Sequence, residues 1–385
     1  MNKPEHISGR PNTQRIALVL QGGGALGAYQ AGVYQALHEH KLTPDWIVGT
    51  SIGAINAAII AGNERSVRLA RLREFWDIVA HPDRFDMRMV HDKARQLNAW
   101  MASLDALLFG VPGFYSPRPF NPFAMGLPVE PDAASFYDTS ELAETLRGLV
   151  DLPYLNSPNG IRLTVSATNV STGELVNFDN LHQPLGIEHI MASGALPPGF
   201  PPIRIDGELY WDGGLYSNTP LEIVLDEEPV VDTLCFMVDL WSATGPEPCT
   251  VQQVYTRQKD VAYASRSKHH IKDYLRMHGL RCSLRALHEK IPYEKKTAQE
   301  HKEALELGCD TTMHIVRLAY AGRDWQMAWK DINFSKGSIE WRWEQGYNDA
   351  MRARKHEDWL SFGPVKTGVV VHEIVPDARE SIVKK

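Results

Sequence analysis

Two successive strand–turn–helix patterns near the start of the chain constrain its fold most strongly. An apolar run from Arg15 to Leu20 ends in the glycine cluster QGGGALG, and a helical pattern follows from about Ala25 to His40. A second run, Asp45 to Val48, leads into GTSIGAINAAIIAG, another tight turn that opens a helix of small residues. Repeated units of this kind are typical of a parallel sheet covered by helices. We therefore predict an α/β fold, with IRLTVSATNV (161–170) and VVDTLCFMVDL (230–240) as further central strands.

Composition excludes some classes of protein. The chain has 385 residues, of which 43% are hydrophobic, so it can bury a large core, and its length suggests roughly two to three domains. Its formal net charge of -7 gives no overall positive field. We therefore expect no nucleic-acid partner.

The cysteines and the N-terminus predict a cytoplasmic protein. The four cysteines lie far apart and form no C-x-x-C pair, as is typical of free thiols in a reducing compartment and not of a metal site. They are Cys235, Cys249, Cys282 and Cys309. The first residues, MNKPEHISGRPNTQR, lack the apolar segment of a secretory signal. The most apolar run, Trp46 to Gly62, contains polar residues and is too short to span a bilayer.

Changes in amino-acid composition along the chain predict the domain organisation. Residues 1–14 are expected to form a loose polar arm, and residues 15–242 a catalytic domain. Between about 83 and 131 the chain is rich in Met, Phe and Pro, and its apolar residues have no regular helix-like or strand-like spacing. We interpret this stretch as an irregular insertion packed on the core, or else as an apolar lid or wall over a substrate site. Residues 243–385 are more charged and are predicted to form a mainly helical extension.

The glycine cluster admits two interpretations. Gly22, Gly24 and Gly27 match the G-x-G-x-x-G spacing of dinucleotide-binding turns. That interpretation requires an acidic residue near the end of the second strand, but Asp45 stands at its start. The alternative is that the backbone N–H groups of Gly22, Gly23 and Gly24, at the start of a helix, bind an oxyanion. We favour the oxyanion interpretation.

The second turn carries a candidate nucleophile. Its sequence is G-x-S-x-G, with Gly49, Ser51 and Gly53. A serine at a sharp strand-to-helix turn projects its hydroxyl above the sheet, and the flanking glycines relieve crowding around the strained backbone. The simpler alternative is a serine that only caps the helix. Adjacent parallel strands would place Ser51 beside the glycine cluster.

Asp212 is the candidate base. PPIRIDGELYW predicts a hairpin with Asp206 and Gly207 in its turn, and Asp212 follows at the strand end before Gly213 and Gly214. An ordinary turn aspartate is the alternative. The chain has 15 histidines, so counting them selects no partner for the serine.

A helix is expected to follow Asp212. Thr219, Pro220 and Glu222 fit the N-cap, the first helical position and the acidic residue of a capping box.

At these residues the chain resembles the patatin-like phospholipase family of serine acyl hydrolases. Three motifs occur in order over about residues 15–240: GGGALG as the oxyanion loop (Gly22, Gly23, Gly24 and Gly27), GTSIG as the nucleophile elbow, and DGG with the aspartate. ASGALPPGFPPI also resembles the family's connecting segment. The resemblance implies a three-layer sandwich with a mainly parallel central sheet, a Ser51 nucleophile, an Asp212 base, and neither metal nor organic cofactor.

The chain departs from the family pattern at one position. The family's glycine loop often carries Arg or Lys before its last glycine, where this chain has Leu26. The sequence therefore predicts ester hydrolysis more strongly than it predicts a phospholipid as the substrate. Beyond about residue 243 the chain resembles the C-terminal extension of unassigned function found on some bacterial patatin-like proteins, most clearly at SKGSIEWRWEQGYNDA. That second resemblance implies no role.

The resulting expectation is a serine hydrolase that cleaves lipid or other acyl esters through an acyl-enzyme. One alternative is an α/β-hydrolase with a Ser-Asp-His triad, and another is a non-catalytic lipid- or protein-binding module on the same scaffold. The basic cluster RSKHHIK (266–272) is interpreted as a solvated helix face, with phosphate or transient membrane-surface contact as the alternative. Acyl chain length, head group and oligomeric state are open.

Overall fold

The computed structural model describes residues 14–83, 92–227, 231–292, 297–308, 311–320, 329–355 and 368–374. The predicted N-terminal arm lies outside these ranges except for its last residue, and so do Cys309 and part of the predicted insertion. Most side chains of the RSKHHIK cluster are likewise outside the described set.

The strands of the described residues include those predicted above from the sequence and five others. The described strands are β1 (Arg15–Leu20), β2 (Trp46–Gly49), β3 (Ser116–Pro117), β4 (Tyr137–Asp138), β5 (Arg162–Asn169), β6 (Leu175–Asp179), β7 (Ile203–Ile205), β8 (Glu208–Asp212), β9 (Thr233–Asp239), β10 (Thr312–Ala319) and β11 (Gly368–Glu373). The five others are β3, β4, β6, β10 and β11.

Within the described residues, nine of these strands form one mainly parallel sheet. Its order is β11-β10-β9-β1-β2-β5-β8-β7, and β6 also pairs with β5. The strands from β11 to β5 are parallel, whereas β6, β7 and β8 add antiparallel pairs at one side. In β1, Leu20 pairs with Gly49 of β2, so the two predicted turns leave the sheet at the same edge.

Helices cover both faces of this sheet. They are α1 (Ala28–Glu39), α2 (Ile52–Ala61), α3 (Arg68–Ile78), α4 (Asp92–Phe109), α5 (Ser140–Leu149), α6 (Leu152–Leu155), α7 (Ile187–Ser193), α8 (Leu221–Leu225), α9 (Val251–Lys290), α10 (Ala298–Leu307) and α11 (Lys336–Lys355). Within the described ranges, none of them combines the length and the apolar composition that crossing a bilayer requires.

Alternation along β1 divides the core into two layers. Ile16, Leu18 and Leu20 pack with α1, α2, α3, α5 and α11 on one face. Ala17 and Val19 pack with α8 and α9 on the other. Successive side chains of a strand point to opposite faces, so a strand buried on both sides reads as a continuous apolar run. The predicted three-layer α/β sandwich is confirmed.

The C-terminal residues join the same sheet. β10 pairs in parallel with β9, and β11 pairs in parallel with β10. Helix α11 packs along α1, and the two approach so closely that a Cβ at Gly32 would overlap the Trp343 carbonyl, and one at Gly346 the Tyr29 carbonyl. The division at residue 242 stays a prediction about domains, but the strands on either side of it belong to one sheet.

Several local predictions can be compared with the structure. The hairpin is confirmed: Ile205 pairs with Glu208 across Asp206 and Gly207, which both have positive φ. In the predicted irregular insertion the structure has an eighteen-residue helix, α4, at its centre. Several of its apolar residues are exposed, among them Leu97, Leu108 and Phe109, so the sequence lacks the regular apolar spacing of a helix with one buried face.

The predicted cap of α8 is wrong. Pro220, not Thr219, occupies the N-cap, and no side chain caps the helix. The Thr219 hydroxyl instead accepts a hydrogen bond from Gln21 Nε2 at 2.7 Å. A long-range partner therefore replaced the local capping interaction.

Candidate active site

Ser51 lies at the predicted strand-to-helix turn. It follows β2 by one residue and directly precedes α2, and its φ of 57° and ψ of -126° are strained for a residue with a side chain. Its N–H is held by Ser193, whose carbonyl and hydroxyl oxygens lie 3.0 and 3.1 Å away. Strand, helix and this anchor together fix the direction of the Ser51 side chain.

Asp212 lies beside Ser51. The Ser51 side chain interacts with the Asp212 carboxyl group, and both residues line one cavity. The Gly214 N–H donates to Asp212 Oδ1 at 2.7 Å. Asp212 ends β8, which pairs antiparallel with β5 at Ala167. Residues separated by more than 150 positions in the chain are thus brought into direct contact, as the sequence interpretation requires.

Burial changes the acidity of Asp212. The residue is 2% exposed, and burial raises its pKa from 3.8 to about 7 because the ionised form loses its hydration. Hydrogen bonds from Ser51 and Gly214 act in the opposite direction, since they stabilise the carboxylate. A carboxyl group with a pKa near 7 can accept and return a proton at neutral pH.

The glycine loop, residues 22–27, leaves the same edge of the sheet. The Gly22 N–H is already bonded to the Asn218 carbonyl at 3.1 Å, so it is not a free donor. Within the described part of the chain, the N–H groups of Gly23 and Gly24 have no such hydrogen bond. Both residues line the cavity that contains Ser51. They are the remaining candidates for an oxyanion hole.

Gly27, predicted with them, lies elsewhere. It is fully buried at the end of a 3-10 turn, a Cβ there would contact Ile52 and Trp76, and its carbonyl accepts a bond from Asn56 at 3.0 Å. It does not line the cavity among the described residues. The short 3-10 turn directs the loop into the core at this point, so Gly27 serves packing. Leu26 is also fully buried.

A cavity of about 340 Å³ opens beside Ser51. Its walls are mostly apolar and come from several parts of the chain, among them residues 194–200. They include Ile52 and Ile55 of α2, Leu107, Phe114, Tyr115 and Tyr137 of the insertion and its return strand, and Tyr263, Trp329, Ile332 and Phe334 of the C-terminal region. The insertion thus contributes a wall. None of the described lining residues is a histidine.

Charged groups at the cavity are few. Lys259 and Asp331 form an ion pair of 2.7 Å and both line the cavity. Together with Asp212 they are the charged residues among the described lining.

Sequence reasoning missed the residues that hold the glycine loop. Asn218 Nδ2 and Trp241 Nε1 both donate to the Gly22 carbonyl, at 3.1 and 2.8 Å. The side chain of Gln21, which is fully buried, accepts bonds from the N–H groups of Leu240 and Trp241. The polar Gln21 at the end of an apolar strand was a usable signal, because a buried amide needs partners.

A strained serine beside a carboxylate at the end of a parallel strand is an arrangement typical of serine hydrolases. The family model described as Patatin-like phospholipase matches residues 18–225, more than half of the chain. The chain therefore belongs to the patatin-like phospholipase family. A second model, described as Patatin phospholipase, matches residues 261–364.

Curated relatives support the same family. Over 210 residues the chain is 30% identical to Patatin-like phospholipase domain-containing protein 7 of Mus musculus and 25% identical to Neuropathy target esterase sws of Drosophila melanogaster. Over 60 residues it is 42% identical to Triacylglycerol lipase SDP1L of Arabidopsis thaliana, covering 16% of this chain and 7% of that protein. The longer alignments cover 54% of this chain but only 12% of each relative.

Two solved structures are similar at lower identity. VipD from Legionella pneumophila matches with a TM-score of 0.39 and 16% identity, covering 90% of this chain and 68% of that chain. The type III effector protein ExoU matches with a TM-score of 0.32 and 14% identity, covering 91% and 54%.

Proposed function

We propose that this protein hydrolyses carboxylic esters of lipids, with Ser51 as nucleophile and Asp212 as general base. The observation that carries the proposal is the pair formed by the strained Ser51 and the buried Asp212, whose side chains interact at one cavity. It lies at one end of a mostly apolar cavity. Membership of the patatin-like phospholipase family and the lipase and esterase names of the relatives support the substrate class.

In the first half of the reaction an acyl-enzyme forms. Ser51 Oγ attacks the ester carbonyl carbon while its proton moves to Asp212. The carbonyl oxygen becomes an oxyanion and accepts hydrogen bonds from the N–H groups of Gly23 and Gly24. When the tetrahedral intermediate collapses, the bond to the alcohol oxygen breaks, and the leaving alcohol takes the proton from Asp212.

In the second half water releases the acid. A water molecule gives a proton to Asp212 and attacks the acyl carbon, which forms a second oxyanion in the same place. Collapse of this intermediate breaks the bond to Ser51 Oγ, and Asp212 returns the proton to the serine. The cycle ends with free carboxylic acid and the starting enzyme, and it needs no metal or organic cofactor.

The surroundings of the cavity support transient contact with a lipid surface. Large apolar side chains beside the cavity wall are exposed, among them Phe109 and Phe120 at 73% each and Met125 at 67%. Phe136 is also exposed and belongs to this patch. It adjoins the wall directly, because it donates its N–H to the carbonyl of Pro198, a cavity residue. Exposed aromatic residues in one region mark interaction surfaces.

Serine replacement in this patch, with a control substitution on α9, tests the lipid contact. Phe120→Ser is expected to weaken binding to phosphatidylcholine vesicles in a sedimentation assay while hydrolysis of a water-soluble ester is retained. Leu287→Ser is the control, because Leu287 is 63% exposed and lies roughly 40 Å beyond the cavity residue Lys259 along α9. Equal vesicle binding by both variants would contradict the contact.

A fluorophosphonate probe and an ester panel test the proposed hydrolysis. We expect covalent labelling at Ser51 and turnover of esters of graded chain length, with and without phosphate head groups. Ser51→Ala and Asp212→Asn should each remove turnover while the circular dichroism spectrum is kept. Near wild-type activity in either variant would contradict the dyad, and an essential histidine would restore the triad alternative. Correctly folded protein with neither labelling nor turnover would favour a binding module.

The predicted cytoplasmic location is a separate proposal. Cys235 and Cys249 carry free thiols in the structure, which fits a reducing compartment.

A further inference from the structure

The C-terminal region touches the glycine loop at two neighbouring residues. Arg342 Nη1 of α11 donates a hydrogen bond to the Ala25 carbonyl at 3.0 Å. The carbonyl oxygen of Asp331 lies against Gly24, so closely that a Cβ at Gly24 would overlap it. One contact is therefore at the second candidate oxyanion donor, Gly24, and the other is at the residue that follows it.

Arg342 also holds the segment that forms one cavity wall. This wall segment, residues 329–334, contains the cavity residues Trp329, Asp331, Ile332 and Phe334. Arg342 donates to the carbonyls of Asn333 and Lys330 at 2.8 and 2.9 Å. One guanidinium group therefore bridges the glycine loop and the wall segment.

The buried position of Arg342 makes its hydrogen bonds necessary. Arg342 is 0% exposed, and a buried cation is costly unless hydrogen bonds replace its lost hydration. The planar guanidinium group presents five N–H donors in fixed directions, which a lysine cannot reproduce. Moving the Ala25 carbonyl would break a charge-assisted bond in the core, so the loop is strongly restrained at this residue.

The other end of the loop is restrained at Gly22. Asn218 and Trp241 hold the Gly22 carbonyl, and the Asn218 carbonyl holds the Gly22 N–H. Gly23 and Gly24 thus lie between two anchors, Gly22 and Ala25, and the second anchor comes from more than 300 residues away. Glycines move easily between backbone conformations, so without a second anchor their N–H directions would vary.

The packing of α11 on α1 places Arg342 beside the glycine loop. Helix α1 starts directly after the glycine loop, and α11 packs on it where Gly32 and Gly346 allow close approach. Tyr29 donates to Asp349 at 2.8 Å in the same interface. The way α11 aligns along α1 thereby determines where the guanidinium group of Arg342 lies relative to the glycine loop.

We infer that Arg342 is a positioning residue for the reaction at Ser51, and that the C-terminal region completes the active site by fixing the glycine loop and the wall segment together. This inference rests on the proposed ester hydrolysis. Oxyanion stabilisation depends on donors that are already aimed when charge develops, so loss of this anchor acts on the transition state more than on substrate binding.

Arg342→Met and Arg342→Lys test the inference against Tyr29→Phe. Methionine keeps the unbranched apolar part of the side chain without its donors. Tyr29→Phe removes a hydrogen bond from the same helix interface without touching the loop. For Arg342→Met we expect kcat to fall about 10- to 100-fold with little change in KM. Arg342→Lys should recover part of the loss, and Tyr29→Phe should keep kcat close to wild type even where its melting temperature falls.

A kcat for Arg342→Met close to that of wild type would overturn the inference. So would an equal loss of kcat in Tyr29→Phe at the same drop in melting temperature, because the effect would then be general destabilisation. If Arg342→Met does not fold, Arg342→Lys decides, and wild-type kcat in that variant overturns the inference.

Amide hydrogen exchange separates this inference from the proposed function. In peptides covering residues 22–27 we expect faster exchange in the Arg342 variants than in wild type and in Tyr29→Phe. If the wild-type protein neither turns over esters nor reacts with a fluorophosphonate, the proposed function fails, and the exchange result still decides whether Arg342 fixes the loop. Unchanged exchange in both Arg342 variants would overturn the inference.

Discussion

At the scale of single residues, the burial of Asp212 suits its proposed role as a base but destabilises its ionised form. A solvated aspartate is a weak base at neutral pH because its pKa lies near 4. Burial raises the pKa of Asp212 to about 7, which suits proton transfer in both directions during the proposed reaction. The same burial means that the ionised carboxylate is held where it is poorly hydrated. Activity and stability should therefore respond to pH in opposite directions.

The pH dependence of kcat/KM should report this pKa. Asp212 must be ionised to accept the serine proton, so activity should rise with pH through a midpoint near 7 and level off above it. Well below the midpoint it should fall roughly tenfold per pH unit. Rates on an uncharged soluble ester between pH 5 and 9 measure the profile. A flat profile from pH 5 to 8 would contradict a base with a raised pKa.

Asp212→Asn should stabilise the protein more at pH 8 than at pH 5. The folded pKa of about 7 exceeds the ordinary aspartate pKa of 3.8, so the folded state retains the proton where the unfolded state releases it. Wild-type stability from this group is highest below pH 3.8, falls as pH rises to about 7, and is constant above. Asparagine does not titrate, so the gain in melting temperature should grow between the two pH values.

Thermal unfolding by circular dichroism measures this gain. We expect the gain at pH 8 to exceed that at pH 5 by roughly 2 °C or more. Asp206→Asn, in the exposed hairpin turn, is the control and should show no such trend. A gain that shrinks as the pH rises would contradict the assigned shift.

At the scale of elements, the turn between β1 and α1 depends on one backbone conformation. Gly24 has a φ of 53°, and the Asp331 carbonyl leaves no space for a side chain there. The turn is therefore restricted twice, by its own conformation and by contact with the wall segment. Adding a methyl group would displace either the loop or the wall.

Gly24→Ala should lose ester hydrolysis by about 100-fold or more, because its methyl group moves a proposed oxyanion donor. Gly173→Ala is a matched control: Gly173 has a similarly positive φ of 73°, but nothing lies within 4 Å of its Cβ position. Both variants carry the backbone strain, and only Gly24→Ala carries the overlap. Steady-state rates on one ester compare them. Equal activity in the two variants would contradict the importance of the contact.

Local patterns predicted the elements that hold the candidate dyad. Strands β1 and β2 are buried on both faces, and each is followed by glycines where the backbone must turn sharply. Both strands and both turns could therefore be predicted from the sequence. The hairpin before Asp212 was readable because Asp206 and Gly207 suit a two-residue turn. The family resemblance rested on the same motifs.

Other features depended on partners distant in sequence. Gly27 has the spacing of an oxyanion loop, yet its position is decided by packing against Ile52. Thr219 has the pattern of a cap, yet its hydroxyl binds Gln21. Arg342 reads as an ordinary charged residue of a helix and is completely buried. In each case a tertiary contact outweighed a local preference, and no local pattern encodes such a contact.

At the scale of the whole molecule, the two ends of the chain share one core. Strand β10 continues the sheet from β9, and α11 covers α1 with a large buried surface that includes Trp343 and Ile339. Without these elements, the β9 edge would expose unpaired backbone groups, and α1 would expose apolar side chains. Such edges and faces promote aggregation.

Deletion of residues 243–385 should therefore abolish soluble expression of the remaining chain. The loss has a direct cause: the truncated protein exposes the β9 edge and the apolar surface of α1 that faced α11. Size-exclusion chromatography of the soluble fraction measures the outcome, with the full chain expressed in parallel. A monomeric truncated protein with an unchanged melting temperature would contradict the shared core.

The mixed origin of the cavity walls has a practical consequence for redesign. Ile332 and Phe334 line the cavity but belong to neither the proposed dyad nor the glycine loop. An engineer who wishes to change which acyl chains fit would begin a mutant library at these two positions. The machinery that breaks the bond could then stay as it is while the shape of the space around the acyl chain is varied.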